Sequence, residues 1–343
     1  MEKQNKQQQL KKQMVSELRQ DLVSGDWVVI ATGRAKRPDE FLKQKRPVFV
    51  QPQKSCPFET RFSNALLMLS EAQKKTEDWR VQVVPNKYPA VDKEGICKEF
   101  YHAGPYQWTE GVGAHEVVIT RDHTRSLGEA SIEEVEMVVR AYQQRYRALE
   151  NGVCVEYISI FHNHGRQAGA TITHPHSQII VLPVIPPDIN RSIRGSAAYY
   201  HIEKKCVHCV MLQYEVLARE RIIYTNESFV VFAPYASRTA FEMRIFPRAH
   251  SPHFELIDEK ERMLFAEALR AVLWKLFKGL HNPDYNFFFH TAPTRHSNEF
   301  DHYHWHCEIL PKTAIWAGFE IGTGIEIATI TPESAAEFLH NTK

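Results

Sequence analysis

Two short stretches concentrate groups able to carry phosphoryl or metal chemistry: THPHSQIIVLP at 173–183 and DHYHWHCEILP at 301–311. In an extended strand, side chains alternate between faces, so His174, His176 and Gln178 fall on one line, and His302, His304 and His306 on another. Each strand ends in an apolar run and is expected to be partly buried, so its polar side chains need partners, which a phosphate or a metal supplies. Isolated histidines bonded to their neighbours are the plainer alternative, and two aligned triads disfavour it. A neutral imidazole can attack the α-phosphorus of a nucleotide through one nitrogen while the other donates its hydrogen to a backbone carbonyl. The phosphoramidate so formed passes its nucleotidyl group onward, and amides such as Gln178 and Asn163 or cations such as Arg34 and Arg37 can stabilise the transferred oxygens.

These strands sit in a chain of 343 residues with 18 His and 6 Cys, 43% hydrophobic and 24% charged. That composition excludes collagenous, disulfide-scaffold and wholly disordered classes. Forty-two Lys and Arg against 41 Asp and Glu leave a net charge of +1, which disfavours a nucleic-acid-binding surface. No export signal or apolar run of membrane-spanning length is present, so a cytoplasmic protein is expected, with its six cysteines unlikely to pair as disulfides. The Gln- and Lys-rich start predicts a flexible tail over 1–19, with ordered structure from GDWVVIAT.

The chain also repeats itself. A Cys-containing turn (SCPFE), the strand AHEVVIT and RDHTRSL with His123 precede a helix starting after Ser131, whose apolar stripe is Val135, Val138, Val139, Tyr142, Tyr146 and Leu149. The strands VEYISIFHNHG and THPHSQIIVLP follow. In the second half KKCVHC, FEMRIF and PRAHSPHFEL with His250 precede a helix burying Leu264, Phe265, Ala268, Leu269, Val272, Leu273, Leu276 and Phe277, then DYNFFFHTAP and the second histidine strand. His123 to His174 spans 51 positions and His250 to His302 spans 52. Two α+β domains are therefore expected, 20–195 and 196–343, each an antiparallel sheet covered by a helix. Neither G-x-G-x-x-G nor G-x-x-x-x-G-K-[ST] occurs, so the usual phosphate loops are absent.

The chain resembles the galactose-1-phosphate uridylyltransferase branch of the histidine triad superfamily from about residue 20 onward. GDWVVIATGRAKRPDEF, VVPNKYPA, RDHTRSL, NHGRQAGATITHPHSQ, FHTAP and AGFEIGTG carry the similarity, and H-P-H-x-Q is its specific element. The resemblance implies tandem histidine triad domains, His176 as the nucleotidyl-carrying nucleophile and Gln178 as the amide that holds the phosphoryl group. Further implied contacts are Arg34 and Arg37 to phosphate; Asn86, Asn163, Gly169 and Thr171 to the nucleotide; and Gly318, Phe319 and Glu320 to the sugar phosphate. Ser177 departs from the Gly common in the family. A homodimer with active sites completed across the interface is implied as well.

A structural zinc beside the nucleophile is also implied, on Cys56, His123 and His174, with Glu59 in place of a second Cys; zinc accepts such an oxygen. Cys206, Cys209, His250 and His302 supply a second, complete Cys₂His₂ set, so one or two structural zinc ions per chain are expected. A redox dithiol at Cys206 and Cys209 lacks its βαβ context. Iron, held in some relatives by Glu and His, is disfavoured: His290, His304 and His306 match, but no Glu occupies the expected stretch after VLPVIPP. Cys97, Cys154 and Cys307 are expected to be inert. Trp27, Trp79, Trp108 and Trp316 are expected in the core or a dimer interface, and Lys312 at the solvated surface.

The implied activity is ping-pong transfer of a nucleotidyl group from a sugar nucleotide such as UDP-glucose through His176 to a hexose 1-phosphate. AGFEIGTG resembles ADP-glucose phosphorylase at least as much, in which phosphate is the acceptor. A zinc-stabilised nucleotide-binding protein without turnover is the alternative of another class, and His304 is the next candidate nucleophile.

Overall fold

A computed structural model describes residues 15–31, 51–70, 78–97, 99–295 and 299–343. In the first half the strands are β1 (Glu17–Gln20), β2 (Trp27–Ile30), β3 (Leu67–Ser70), β4 (Trp79–Pro85), β5 (Tyr101–Ala103), β6 (Tyr106–Trp108) and β7 (Ala114–Thr120), then helix α1 (Ile132–Leu149), β8 (Tyr157–His164) and β9 (His176–Leu182). Helices α2 (Pro187–Glu203) and α3 (Val207–Ala218) lead into β10 (Ile222–Thr225), β11 (Phe229–Phe232), β12 (Met243–Pro247), α4 (Glu259–Gly279), β13 (Tyr285–His290) and β14 (His306–Pro311). The chain closes with α5 (Gly318–Thr323), β15 (Glu326–Ala328) and α6 (Pro332–Asn341).

The fold is α+β and histidine-triad-like, as expected, but the two sheets fuse. Ten strands run in the order β10-β11-β12-β14-β13-β8-β9-β7-β4-β3, so each half contributes five strands in mirrored sequence. The seam is the antiparallel pair β8 and β13, which sets Asn163 opposite Asn286. Position 195 lies inside α2, so the chain crosses between halves as a continuous helix.

One face of this sheet is covered by α1 and α4. Both helices begin with a capping box, Ser131 with Glu134 and Asp258 with Glu261, which satisfies orphan N–H groups at the first turn. Their stripes are buried with Ile160, Ile179, Val181, Phe287 and Trp305 in one core with Leu149 and Leu264 at its margin, whereas Phe277 stacks on Trp274 instead. The other face is covered in part, by Phe58 and Phe62 against Val117 and Ile119 and by Leu212 of α3 against Val230 and Phe246.

Several expectations are corrected. The tail ends earlier than residue 19, because Glu17–Gln20 pairs with β2 and Arg19 reaches Glu333 at 2.9 Å, tying the start of the chain to α6. Cys97 and Cys154 are joined as a disulfide, since the turns after α1 return residue 154 to the 90s loop with the two Cα atoms 5.4 Å apart. Of the tryptophans, Trp79 lies in the core as expected, whereas Trp27, Trp108 and Trp316 lie at the surface of the single chain. Lys312 is half-buried, its ammonium over the Trp316 ring. No helix among the described residues is long and apolar enough to cross a membrane.

Candidate active site and metal centres

Strand β9 begins at His176, so His174 stands just before it and the alternation runs from His176 through Gln178 to Ile180. Ser177, Ile179 and Val181 take the buried face, where Tyr142 of α1 and His162 both hydrogen-bond the Ser177 hydroxyl. His176 and Gln178 therefore point away from the helices. The Nδ1 of His176 lies 2.8 Å from the carbonyl oxygen of His174, to which it must donate, leaving the Nε2 lone pair for chemistry. Phe58 packs 5.1 Å from this ring. Burial pushes the His176 ring below the ordinary histidine value, against the opposing pull of the His174 carbonyl, so it stays neutral and nucleophilic.

Other predicted residues gather nearby to different degrees. Asn163, at the end of β8, accepts from Asn286 Nδ2 through Oδ1 at 2.7 Å, so its own N–H bonds are free for a ligand. Gly169 has φ +91°, a conformation that suits glycine, at the close of the 166–168 turn; a Cβ there would come 3.8 Å from Asn163 Nδ2. Thr171 is exposed in the loop before His174. Asn86 lies against His115, whose ring reaches Gln178. Gly318, Phe319 and Glu320 open the exposed helix α5, with Glu320 accepting from Ala317 N–H. Arg34 and Arg37 lie outside the described residues.

Cys56, Glu59, His123 and His174 converge with ligand atoms within 4.8 Å of one another. His174 Nε2 and His123 Nε2 are 2.7 and 2.8 Å from the carbonyls of Thr120 and Gln51, so both rings carry their proton on Nε2. Their Nδ1 lone pairs then face each other at 3.2 Å with Glu59 Oε1 2.7 Å from His123, an arrangement that a cation between them resolves. Two anionic and two neutral ligands fit a divalent zinc.

In the second half the group is Cys206, Cys209, His250 and His304, with Cys209 Sγ 3.3 and 3.5 Å from Nδ1 of His250 and His304. His302 is not a member. Its ring lies beside Tyr200 and Phe300 instead. Strand β14 starts at His306 as β9 starts at His176, and His306 Nδ1 meets the His304 carbonyl at 3.1 Å, repeating the turn at His176. The matching frame is thus His304-Trp305-His306-Cys307-Glu308, two residues later than the His spacing suggested, and His304 takes the ligand position rather than the nucleophile's.

In this frame Glu308 occupies the place of Gln178. Its oxygens meet Arg238 at 2.5 Å and Arg244 at 3.0 Å, and together with His290 and His306 it borders a cavity of about 250 Å³. Burial drives His290 and His306 down to about 4, so both are neutral. Burial pushes Glu308 up, but Arg244 and Arg238 hold it well below the usual carboxylate range. An anionic carboxylate repels a transferred phosphoryl group where an amide attracts one. The second repeat therefore keeps the fold and a Cys and His group able to hold a metal, with a carboxylate where the first repeat has an amide.

Residues 5–186 match the model of the galactose-1-phosphate uridyl transferase N-terminal domain, more than half of the chain. The chain belongs to this family. A second model, a domain of unknown function, matches 107–341. The family members it resembles include ADP-glucose phosphorylase of Arabidopsis thaliana, 32% identical over 94% of this chain and 92% of that one, and galactose-1-phosphate uridylyltransferase of Thermotoga maritima, 29% identical over 95% and 98%. A crystal structure of the Arabidopsis ADP-glucose phosphorylase with bound ADP-glucose superposes with a TM-score of 0.78 at 29% identity, covering 96% of this chain and all of that one. Like these members of the family, the chain is a nucleotidyltransferase.

Sequence reasoning missed His115, Phe58 and Asn286 as site residues, and it weighed His304 as a nucleophile rather than as a ligand of the Cys206 and Cys209 group. His115 carried a signal, a lone imidazole in the strand AHEVVIT, while Asn286 is joined to the site through the seam between halves.

Proposed function

We propose that the protein transfers a nucleotidyl group from a nucleoside diphosphate sugar to a phosphate-bearing acceptor through a covalent intermediate on His176. The carrying observation is the His176 ring held neutral, with Nδ1 committed to the His174 carbonyl and Nε2 bare beside Gln178. Nε2 attacks the α-phosphorus, forming a P–N bond as the bond to the bridging oxygen breaks and sugar 1-phosphate leaves with that oxygen. In the second step an acceptor phosphate oxygen attacks the same phosphorus and the P–N bond breaks. Gln178, Asn163 and Asn86 supply N–H groups for the nucleotide oxygens.

The two zinc ions we assign to Cys56, Glu59, His123 and His174 and to Cys206, Cys209, His250 and His304 are structural, and the first fixes His174 two residues before the nucleophile. ADP-glucose as donor with inorganic phosphate as acceptor is supported by the Arabidopsis relative and its bound ligand. UDP-glucose with galactose 1-phosphate is supported by the Thermotoga relative.

Incubation with ADP-glucose and with UDP-glucose, each labelled at the α-phosphorus, decides between them. Acid-labile label on His176 from one donor, discharged by phosphate or by hexose 1-phosphate, is expected. Turnover by a His176→Ala variant at the wild-type rate overturns the nucleophile.

A further inference from the structure

Resting on that transferase reading, we infer that His115 is a positioning residue that sets which end of the Gln178 amide faces the transferred phosphoryl group. His115 belongs to β7, whose register against β9 pairs Val117 with Gln178 and Ile119 with His176. The alternation puts His115, Val117 and Ile119 on the same face as His176 and Gln178, with His115 diagonal to Gln178.

The His115 ring is buried, and the turn Asn86–Ala90 that follows β4 wraps it. Asn86 N–H donates to the His115 carbonyl at 2.8 Å, and Ala90 N–H donates to His115 Nδ1 at 3.0 Å. A backbone amide can only donate, so Nδ1 is an acceptor and carries no proton. The neutral ring then bears its hydrogen on Nε2. That nitrogen stands 2.8 Å from Gln178 Oε1 and donates to it. Asn86 Nδ2 lies 3.0 Å from the same nitrogen, where no lone pair is left to receive it, so its N–H bonds are free for the nucleotide.

The chain of donors runs Ala90 N–H to His115 Nδ1, then His115 Nε2–H to Gln178 Oε1. With its oxygen held, Gln178 turns its NH₂ group into the site on the side of His176. An amide without this constraint flips at little cost and offers its oxygen to an anionic phosphoryl group, which repels it. The turn that carries the nucleotide-binding Asn86 thereby also orients the amide that stabilises the reacting phosphorus.

Long-range ¹H–¹⁵N correlation on ¹⁵N-histidine-labelled protein, with the His115 signals assigned by their loss in His115→Gln, reads the tautomer without any substrate. The Nε2–H form is expected, and an Nδ1–H form overturns the inference. In single-turnover labelling from the donor, His115→Phe is expected to slow nucleotidyl transfer about tenfold or more, with donor affinity within about twofold of wild type. His115→Gln, which can still donate to Gln178, should recover part of the rate. Gln178→Leu should slow transfer at least as much, and the double variant should be no slower than Gln178→Leu alone, because His115 acts only through that amide. Losses that multiply, or a His115→Phe variant labelled at the wild-type rate, overturn the inference and leave the transferase reading intact. A wild type labelled by neither sugar nucleotide overturns that reading and the role of His115 with it.

Discussion

The chemistry proposed for His176 depends on one proton's location. Its Nδ1–H is committed to the His174 carbonyl, so a His176→Ala variant is expected to lose transfer by at least about a thousandfold while its circular dichroism is unchanged, measured by label uptake. His162 behaves differently because it is structural. Its ring is buried, stacks on Phe287 at 4.9 Å and bonds Ser177, and burial holds its pKa well below the ordinary histidine value of 6.5. Below pH 6.5 the unfolded chain takes up a proton at this position that the folded chain refuses, so stability falls as pH falls. The slope from this one residue approaches about 1.4 kcal/mol per pH unit. Urea unfolding at pH 7, 6 and 5 should show a shallower acid slope in His162→Phe than in wild type. Strand alternation placed His176 and Gln178 on one face and the family resemblance implied their roles, whereas His162 and His115 acquire theirs from rings and hydroxyls brought in by other elements.

At the scale of elements, the two candidate metal groups each join a Cys-bearing segment (the 56–59 turn in the first half, the start of α3 in the second), a post-strand His and the residue just before a histidine strand. Repeat logic predicted this arrangement, and the register of the second copy was misplaced by two residues. His302 and His304 are both compatible with a Cys₂His₂ pattern in sequence. What separates them is where β14 begins, because the residue two before its first position turns toward Cys206 and Cys209. Metal analysis should therefore find His304→Ala with one zinc fewer per chain and a lowered melting temperature, and His302→Ala with the wild-type content. The helices were more legible, since α1 and α4 announce themselves by a capping residue and a 3.6-residue stripe. Local rules suffice for both.

Across the whole molecule, the two halves share a sheet and a core. Phe265 of α4 packs against Phe229, Phe254, Phe289 and Trp305, and Phe265→Ala should cost about 3–5 kcal/mol by chemical denaturation. The seam also reaches the proposed site. Asn286, from the second half, bonds Asn163 Oδ1 and the Ala168 carbonyl in the first. Asn286→Ala leaves both acceptors unpaired and Asn163 unfixed, so the KM for the sugar nucleotide should rise about tenfold with kcat much less affected, measured by steady-state kinetics.

Strand alternation, helix stripes and the internal repeat were enough to determine the α+β fold class and to bring His174, His176 and Gln178 and most of the convergent Cys and His residues to notice, because each depends on periodicity or on neighbours a few residues away. Long-range pairing decided the rest. Fusion of the two sheets at β8 and β13, the choice of His304 over His302, the disulfide between Cys97 and Cys154, and the bond from His115 to Gln178 all join residues far apart in the chain. Their partners are set by register and packing, which no local pattern of residues encodes.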